Sequence, residues 1–291
     1  MKILITGQRG QVSQELQKHL AGLGELIVLG REQLDLSRPQ DVAEPVRALR
    51  PDLIINAAAH TAVDQAESEP ELAFAINATS PGILAQQAAE LGIPLIHYST
   101  DYVFDGAKAT AYTEQDPTRP LGVYGSSKLA GEQAIGAAGG QHLILRTSWV
   151  YSAHGRNFLL TMQKLLQERE ELRIVADQIG APTWAGTIAQ STRQLIERWR
   201  DGNAGAWGIY HLTASGETSW FGFAQAIGQA LVDEGKKCAV LHPIPSSDYP
   251  TPATRPLNSR LDCSRLQREW GVRQPDWQQA LLECLSSQRQ A

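Results

Sequence analysis

The chain has 291 residues, of which 42% are hydrophobic and 20% charged, and its formal net charge is −5. This composition is typical of a globular enzyme with one large or two smaller domains, and its acidic balance argues against nucleic acid as a partner. Because no run of about 18 apolar residues occurs, no membrane-spanning segment is predicted. Three scattered cysteines and the lack of a signal-peptide pattern favour a cytoplasmic location.

Short apolar runs alternate with longer helical stretches through the first half of the chain. This alternation predicts an α/β fold, a Rossmann-type doubly wound parallel sheet with helices on both faces. Such a sheet binds ligands at the carboxyl ends of its strands, where the strand order reverses. Strands are predicted at 2–6, 25–29, 53–55, 94–98 and 142–146, and helices at 11–23, 39–49, 71–91 and 123–138.

The rhythm loosens after residue 147, in the part that holds all seven tryptophans. Helices are expected there at 157–170, 187–200, 220–234 and from 277 onwards. We predict a dinucleotide-binding domain over 1–147, with returning segments near 172–190 and 207–214. Residues 148–291 are predicted to form mainly a smaller, mixed substrate-binding lobe.

A glycine-containing turn lies between the first predicted strand and the first helix. Gly7 and Gly10 permit a tight turn and a close approach of backbone to a pyrophosphate, and Ser13 is the next small position. The following helix presents free N–H groups and a positive dipole end. The turn predicts dinucleotide binding; an ordinary strand-to-helix turn is the alternative.

The end of the second strand indicates which dinucleotide is bound. An acidic residue there would hold the ribose 2′-OH of NAD, but this chain has Gly30 and Arg31. Arg31 is suited to the 2′-phosphate of NADP, so NADPH is expected, with NADH possible. The alternative is that Arg31 is an ordinary solvent-exposed arginine without a role in binding. Asp35 and Leu36 are placed to flank the adenine. The small residues after the third strand also allow cofactor approach, or reflect ordinary packing: Ala57, Ala58 and Ala59.

Tyr124 and Lys128 are four residues apart on a predicted helix and therefore lie on one face. An ammonium beside a phenol favours the phenolate, so we expect the pKa of Tyr124 to be lowered and the group to exchange a proton with a carbonyl or an alcohol. Thr100 ends the fourth strand, where its hydroxyl could bond the same carbonyl. The spacing of the pair alone is weak evidence, and its weight comes from the turn and Thr100.

These features together resemble the extended short-chain dehydrogenase/reductase family. Within it, the chain is similar to the reductases that form dTDP-L-rhamnose from dTDP-4-dehydro-L-rhamnose, enzymes of lipopolysaccharide and cell-wall polysaccharide biosynthesis. The similarity spans nearly the whole sequence. The stretches that carry it are Asn56–Asp64, Ser99–Phe104, Tyr124–Glu132, Arg146–Tyr151, Asp177–Thr183 and Pro252–Leu261.

The resemblance implies a catalytic triad of Thr100, Tyr124 and Lys128, with Lys128 also at the nicotinamide ribose. It implies substrate contacts from Thr61, Val63, Thr100, Asp101, Tyr102 and Trp149. It implies dinucleotide contacts from Gly10, Gln11, Val12, Asp35, Leu36, Ala59, His60, Thr61, Tyr98, Tyr124 and Lys128. The substrate carries a diphosphate, and among the arginines of the C-terminal part we expect Arg255, and secondarily Arg260, to pair with it.

Three alternatives remain open from the sequence. A nucleotide-sugar 4,6-dehydratase is disfavoured because Tyr102 stands where those relatives carry glutamate, and an epimerase is disfavoured more weakly. A regulatory subunit resembling the β subunit of methionine adenosyltransferase would bind the dinucleotide without catalysis.

Metal use and assembly are also open. Some members of the reductase family bind Mg²⁺ through glutamates at a dimer interface, and Glu15 matches one of those positions. Gly186 stands where a second acid is expected, which disfavours a metal-bridged dimer. We therefore expect a monomer or a homodimer, with Mg²⁺ possible.

Overall fold

The computed structural model describes residues 1–289, so Gln290 and Ala291, the end of the predicted substrate lobe, lie outside the described residues. The strands are β1 (Lys2–Thr6), β2 (Glu25–Leu29), β3 (Leu53–Asn56), β4 (Leu95–Thr100), β5 (His142–Thr147), β6 (Val150–Tyr151), β7 (Glu171–Val175), β8 (Ile179–Gly180), β9 (Thr183–Trp184), β10 (Gly208–His211), β11 (Thr218–Ser219) and β12 (Val240–Ile244).

The helices follow the same chain order. They are α1 (Gln11–His19), α2 (Ala43–Leu49), α3 (Val63–Ala66), α4 (Pro70–Phe74), α5 (Ser80–Leu91), α6 (Val123–Ala138), α7 (Phe158–Glu168), α8 (Ala185–Arg200), α9 (Trp220–Asp233), α10 (Ser264–Trp270) and α11 (Trp277–Gln288). The helix predicted over 71–91 is divided, because a π-helical turn at Ala75–Thr79 separates α4 from α5.

A six-stranded parallel sheet in the order β2-β1-β3-β4-β5-β10 forms the centre of the molecule. This confirms the predicted Rossmann-type α/β fold. The order reverses between β1 and β3, so Thr6 and Asn56, which pair with each other at the carboxyl ends of these strands, mark the switch point.

Because successive side chains of a strand point to opposite faces of the sheet, an apolar core forms on each face. Ile3 and Ile5 pack on one face with residues of α1, α8 and α10, whereas Leu4 packs on the other with residues of α2, α5 and α6. All three strand residues are fully buried, as expected for a parallel sheet covered on both sides. The sheet is thereby fixed between helices, and its carboxyl edge is left to bind ligands.

The two segments expected to return to this sheet behave differently. The segment near Tyr210 is strand β10 and pairs with β5. The segment 172–190 contributes no strand to the sheet: β7 pairs with β12, and α8 is the part that returns, packing against α1. This corrects the expectation for that segment, since the partner of β7 lies far along the chain at Val240–Ile244 and leaves no local signal.

A separate apolar cluster joins α7, α9 and α11 in the second half of the chain. Its largest members include Tyr151, Phe223 and Trp277. The division at residues 147 and 148 stays a prediction. Within residues 1–289, no helix has both the length and the apolar character needed to cross a bilayer.

Candidate active site

A cleft of about 1000 Å³ opens at the carboxyl edge of the sheet. Of the predicted site residues, those lining it are Gly7, Gly10, Gln11, Val12, Gly30, Arg31, Ala57, Ala58, Ala59, Thr61, Val63, Tyr98, Thr100, Asp101, Tyr102, Tyr124, Lys128 and Trp149. Asp35, Leu36, His60, Arg255 and Glu15 are not among its lining residues.

The cleft also includes residues that the sequence reasoning missed. Gln8 and Arg9 lie between the two glycines of the turn, and that position alone could have identified them. Ser148 falls inside a recognised motif. Gly155, Arg156 and Trp220 come from distant segments that carry no local signal.

One end of the cleft is built by the turn between β1 and α1. Gly7 has φ +85°, and a Cβ there would lie 3.0 Å from Ala58, so the position requires glycine. The Gly10 N–H donates to the Gly7 carbonyl, and α1 begins at the next residue with no acidic side chain in its first turn. The free N–H groups and positive end of α1 therefore remain available to an anion, which fits a dinucleotide pyrophosphate.

Arg31 lies at the rim of this end of the cleft. Its side chain is 77% exposed and its Nε lies 3.3 Å from Asp35 Oδ2, a spacing at which the guanidinium retains other donors. Asp35 itself is tied to Ser37 by its other oxygen. Leu36 is buried in the sheet core, and its carbonyl accepts from Ser80 Oγ. These two residues thus shape the rim from outside the cleft.

The other end of the cleft is where α6 meets β4. A Cβ at Gly125 would lie 2.2 Å from the Tyr102 carbonyl oxygen, so glycine allows the first turn of α6 to touch the end of β4. Tyr124 thereby packs edge-on against Tyr102, with ring centroids 5.4 Å apart. Thr100, the last residue of β4, is 4% exposed and faces the same space.

The pKa of Tyr124 is raised to about 12, because desolvation in the cleft outweighs the hydrogen bond with Thr100. The expected lowering by Lys128 is therefore wrong for this arrangement. Lys128 Nζ instead donates to the Tyr98 carbonyl at 2.6 Å and lies 3.1 Å from His97 Nε2. Burial lowers the pKa of Lys128 to about 8, against the opposing influence of Glu132.

Asp101 is a buried carboxyl beside Thr100. Thr100 Oγ1 donates to Asp101 Oδ1 at 3.1 Å, and Asp101 Oδ2 has no hydrogen-bond partner among the described residues. Burial raises the pKa of Asp101 to about 7, although the nearby hydroxyls of Ser259 and Thr100 oppose this rise. The carboxyl therefore carries a proton over much of the acidic range.

Asp101 makes folding stability depend on pH. Its folded pKa of about 7 lies above the ordinary value of 3.8, so the folded chain holds a proton that the unfolded chain releases between these values. The resulting stabilisation of the folded state is complete below pH 3.8 and is lost as the pH rises through about 7. Relative to Asp101→Asn, wild-type protein is expected to lose about 1.4 kcal/mol of unfolding free energy per pH unit between about pH 5 and 6. Urea unfolding of both proteins measures this; parallel pH curves would contradict it.

Two tryptophans form one wall of the cleft. Trp149 has φ +48°, a backbone conformation that is unfavourable for residues other than glycine. Its ring stacks on that of Trp220, with the ring centroids 3.7 Å apart. A Cβ at Gly180 would lie 2.7 Å from the Trp149 ring, so glycine leaves room for it. Trp220 Nε1 donates to Gln178 Oε1 at 3.1 Å. Packing from both sides thus holds Trp149 in a strained backbone position.

Arg255, the residue expected at the substrate diphosphate, is paired within the protein. Its Nη2 lies 2.7 Å from Asp64 Oδ2, and its Nη1 donates to the Ala253 carbonyl. Arg260 is likewise paired with Glu217, at 3.1 Å. Both guanidiniums have protein partners, so any anion would compete with a carboxylate.

Glu15 does not fit a Mg²⁺ ligand. Its carboxylate is 4% exposed and lies among basic side chains, with Lys18 Nζ at 2.9 Å, His154 Nδ1 at 3.5 Å and His19 Nε2 at 4.0 Å. Across residues 1–289, no group of three or more His, Cys, Asp or Glu side chains is placed to hold a metal ion.

His60, expected beside the dinucleotide, is fixed behind the cleft. Its backbone N–H donates to Asn77 Oδ1 at 2.8 Å, and its Nε2 lies 3.6 Å from Glu69 Oε2. Asn77 lies in the π-helical turn, so that turn holds the loop after β3 in place. Thr61, the next residue along, does line the cleft.

The fold and cleft define a Rossmann-type NAD(P)-binding oxidoreductase. The RmlD substrate binding domain family matches residues 1–290. The chain is 48% identical over 292 residues to a dTDP-4-dehydrorhamnose reductase of Burkholderia thailandensis, with 98% of each covered. It therefore belongs to the dTDP-4-dehydrorhamnose reductase family.

Solved structures agree with this assignment. A dTDP-4-dehydrorhamnose reductase from Clostridium acetobutylicum superposes with a TM-score of 0.91 at 36% identity, over 99% of this chain and 100% of that one. Another, from Bacillus anthracis in complex with NADP, gives 0.89 at 33% identity, over 98% and 99%. Both matches extend across the sheet and the second half of the chain.

Proposed function

We propose that the chain catalyses reduction of the C4 ketone of dTDP-4-dehydro-L-rhamnose by NADPH, giving dTDP-L-rhamnose. The observation that carries this proposal is the shared cleft, which joins the Gly7–Gly10 turn to Thr100 and Tyr124. The names of the relatives supply the substrate and support the choice of NADPH.

NADPH supplies hydride to the carbonyl carbon when it is bound. The turn at Gly7 and the start of α1 fit its pyrophosphate, Arg31 fits the 2′-phosphate of its ribose, and Lys128 is assigned to the nicotinamide ribose. Each assignment matches the charge of the group: a helix N-terminus and a guanidinium for phosphates, and an N–H donor for a hydroxyl.

Tyr124 is the proposed proton donor to the carbonyl oxygen. With its pKa at about 12, Tyr124 stays a neutral phenol at pH 7 and has a proton to donate. As the carbonyl oxygen gains negative charge it becomes the stronger base and takes that proton. Thr100 is assigned to orient the carbonyl: its hydroxyl oxygen accepts the Tyr102 N–H, and its single hydrogen turns from Asp101 Oδ1 to the carbonyl oxygen when the substrate binds.

The substrate is proposed to occupy the side of the cleft formed by the second half of the chain. Trp149, which is only half-buried, is assigned a contact with the sugar or thymine, and Asp101, in its protonated form, can donate to a sugar hydroxyl. The loop after β3 supplies Thr61, the start of α3 supplies Val63, and Tyr102 closes this side. Arg255 is assigned to the diphosphate, in competition with Asp64.

Arg31 is expected to set the preference for NADPH over NADH. Arg31→Ala should raise KM for NADPH by about 10- to 150-fold and leave KM for NADH unchanged, because a charge-assisted bond to a phosphate is worth about 1.5–3 kcal/mol. Initial rates with each cofactor measure this. Arg38→Ala is the control, since Arg38 is similarly exposed and pairs with Asp41. An equal effect on both cofactors would contradict the assignment.

The proposed activity itself is tested by following NADPH and NADH oxidation with dTDP-4-dehydro-L-rhamnose, with and without Mg²⁺. Oxidation that depends on the sugar nucleotide is the expected result. Binding of NADPH without turnover would favour the regulatory role instead. The cytoplasmic location and the monomeric or homodimeric state stay predictions.

A further inference from the structure

A chain of buried polar side chains runs from β1 to Lys128, and its members other than Lys128 have no part in the mechanism above. Thr6 Oγ1 donates to Asn56 Oδ1 at 2.6 Å, Asn56 Nδ2 lies 2.9 Å from His97 Nδ1, and His97 Nε2 lies 3.1 Å from Lys128 Nζ. The four side chains are at most 2% exposed. Their hydrogens must therefore find acceptors within the protein, and this restricts where each proton can be.

The first link of the chain sets its direction. Thr6 Oγ1 accepts the Ala58 backbone N–H at 3.1 Å, so its own hydrogen is directed to Asn56 Oδ1. The Asn56 amide then turns its NH₂ group towards His97, whose Nδ1 must accept. A neutral imidazole carries one N–H, which is left on Nε2 and points at Lys128.

The charge of Lys128 decides whether this arrangement is favourable. An ammonium donates only, so a charged Lys128 and the Nε2–H of His97 would be two donors facing each other at 3.1 Å. A neutral amine accepts that N–H through its lone pair and still donates to the Tyr98 carbonyl. For His97 Nε2 to accept from a charged Lys128, the ring proton of His97 must lie on Nδ1. The Asn56 amide must then turn so that its oxygen faces Nδ1. Its NH₂ group and the Ala58 N–H would in that case both point at Thr6 Oγ1.

The surroundings of His97 and Lys128 also favour the neutral amine of Lys128. Burial lowers the pKa of His97 well below its usual value, with a further lowering from Lys128. Glu132, one turn beyond Lys128 on α6, favours the ammonium, but its carboxylate is neutralised by Arg146 from β5. The other titratable groups at this end of the cleft are Tyr98, Asp101, Tyr102 and Tyr124.

We infer that His97 is a positioning residue that, with Asn56 and Thr6, biases Lys128 towards its neutral amine and changes tautomer when Lys128 is charged. When Lys128 loses its charge, one proton leaves the His97–Lys128 pair, and the ring proton of His97 then lies on Nε2 instead of Nδ1. The relevance to catalysis rests on the proposed function, because that function places Lys128 in the reaction. The coupling itself is a property of the buried chain.

Nuclear magnetic resonance of ¹⁵N-histidine-labelled protein, without substrate or cofactor, tests the inference. His97 is assigned by the signal that is missing in His97→Gln, and its tautomer is followed from pH 6 to 10. The expected result is a neutral ring throughout that changes from Nδ1–H to Nε2–H near the pKa of Lys128, about 8. An imidazolium, or a single tautomer across this range, would overturn the inference.

A matched pair of variants tests the direction of the chain. Thr6→Val removes the donor that fixes Asn56 and is expected to raise the midpoint of the tautomer change by about one pH unit, the equivalent of one lost hydrogen bond. Thr192→Val removes an equally buried hydroxyl that bonds Tyr98 Oη, outside this chain, and should leave the midpoint unchanged. Equal midpoints in all three proteins would overturn the inference. Since no turnover is measured, failure of the proposed reductase activity would leave these results intact.

Discussion

Tyr124→Phe is expected to lower kcat by about 10²–10⁴-fold, because the variant keeps the ring but loses the proton that a developing alkoxide requires. Binding of NADPH should be retained, since the turn at Gly7 and the start of α1 are untouched. Single-turnover oxidation of NADPH and fluorescence titration of the cofactor measure the two effects separately.

A second phenylalanine variant controls for the loss of a buried hydroxyl. Tyr151 is 1% exposed, and its hydroxyl has no hydrogen-bond partner within the described part of the chain. Tyr151→Phe is therefore expected to keep kcat and stability near wild type. If Tyr124→Phe also kept most of its turnover, the assignment of the proton donor would be wrong.

Arg146→Met is expected to destabilise the protein by about 3–5 kcal/mol, because it leaves the Glu132 carboxylate buried without its partner. The two side chains form a bidentate pair, with Nε to Oε1 at 2.9 Å and Nη2 to Oε2 at 2.6 Å, and are at most 3% exposed. Ser99 also donates to this carboxylate, one residue before Thr100. Urea unfolding with a check for an unchanged m-value measures the loss.

Two further proteins separate a lost ion pair from a lost side chain. The double variant Glu132→Leu, Arg146→Met removes both charges and is expected to recover most of the stability. Glu217→Gln breaks the more exposed pair with Arg260 and should cost less than about 1 kcal/mol. A double variant as unstable as Arg146→Met would show that shape, not charge, dominates.

The strands of the main sheet could be predicted because each is a short apolar run bounded by turn residues. The same holds for the turn at Gly7, where glycine spacing and position between a strand and a helix are both local signals. β7 was harder to predict, because the residues of its partner β12 lie about 70 positions further along the chain, and only tertiary contacts decide whether such a strand joins the main sheet. The position of Trp220 in the wall of the cleft could not be predicted for the same reason.

The electrostatics of the site could not be predicted from spacing. Tyr124 and Lys128 share a helix face, but how far the pKa of Tyr124 moves depends on its desolvation and on where the ammonium points. Here Lys128 points to the Tyr98 carbonyl and to His97, both on β4. Likewise, the sequence shows Arg255 as a cation but not its contact with Asp64. Burial and competing partners appear only when the chain is folded.

The stacked tryptophans also give the molecule a built-in optical signal. Trp149 follows the last strand of the first half, whereas Trp220 opens α9 in the second half. Two indoles stacked 3.7 Å apart couple their electronic transitions, and such coupling falls steeply with distance. Their circular dichroism therefore reports the separation between the segment that follows β5 and the start of α9, so movement of one against the other can be followed without an added label.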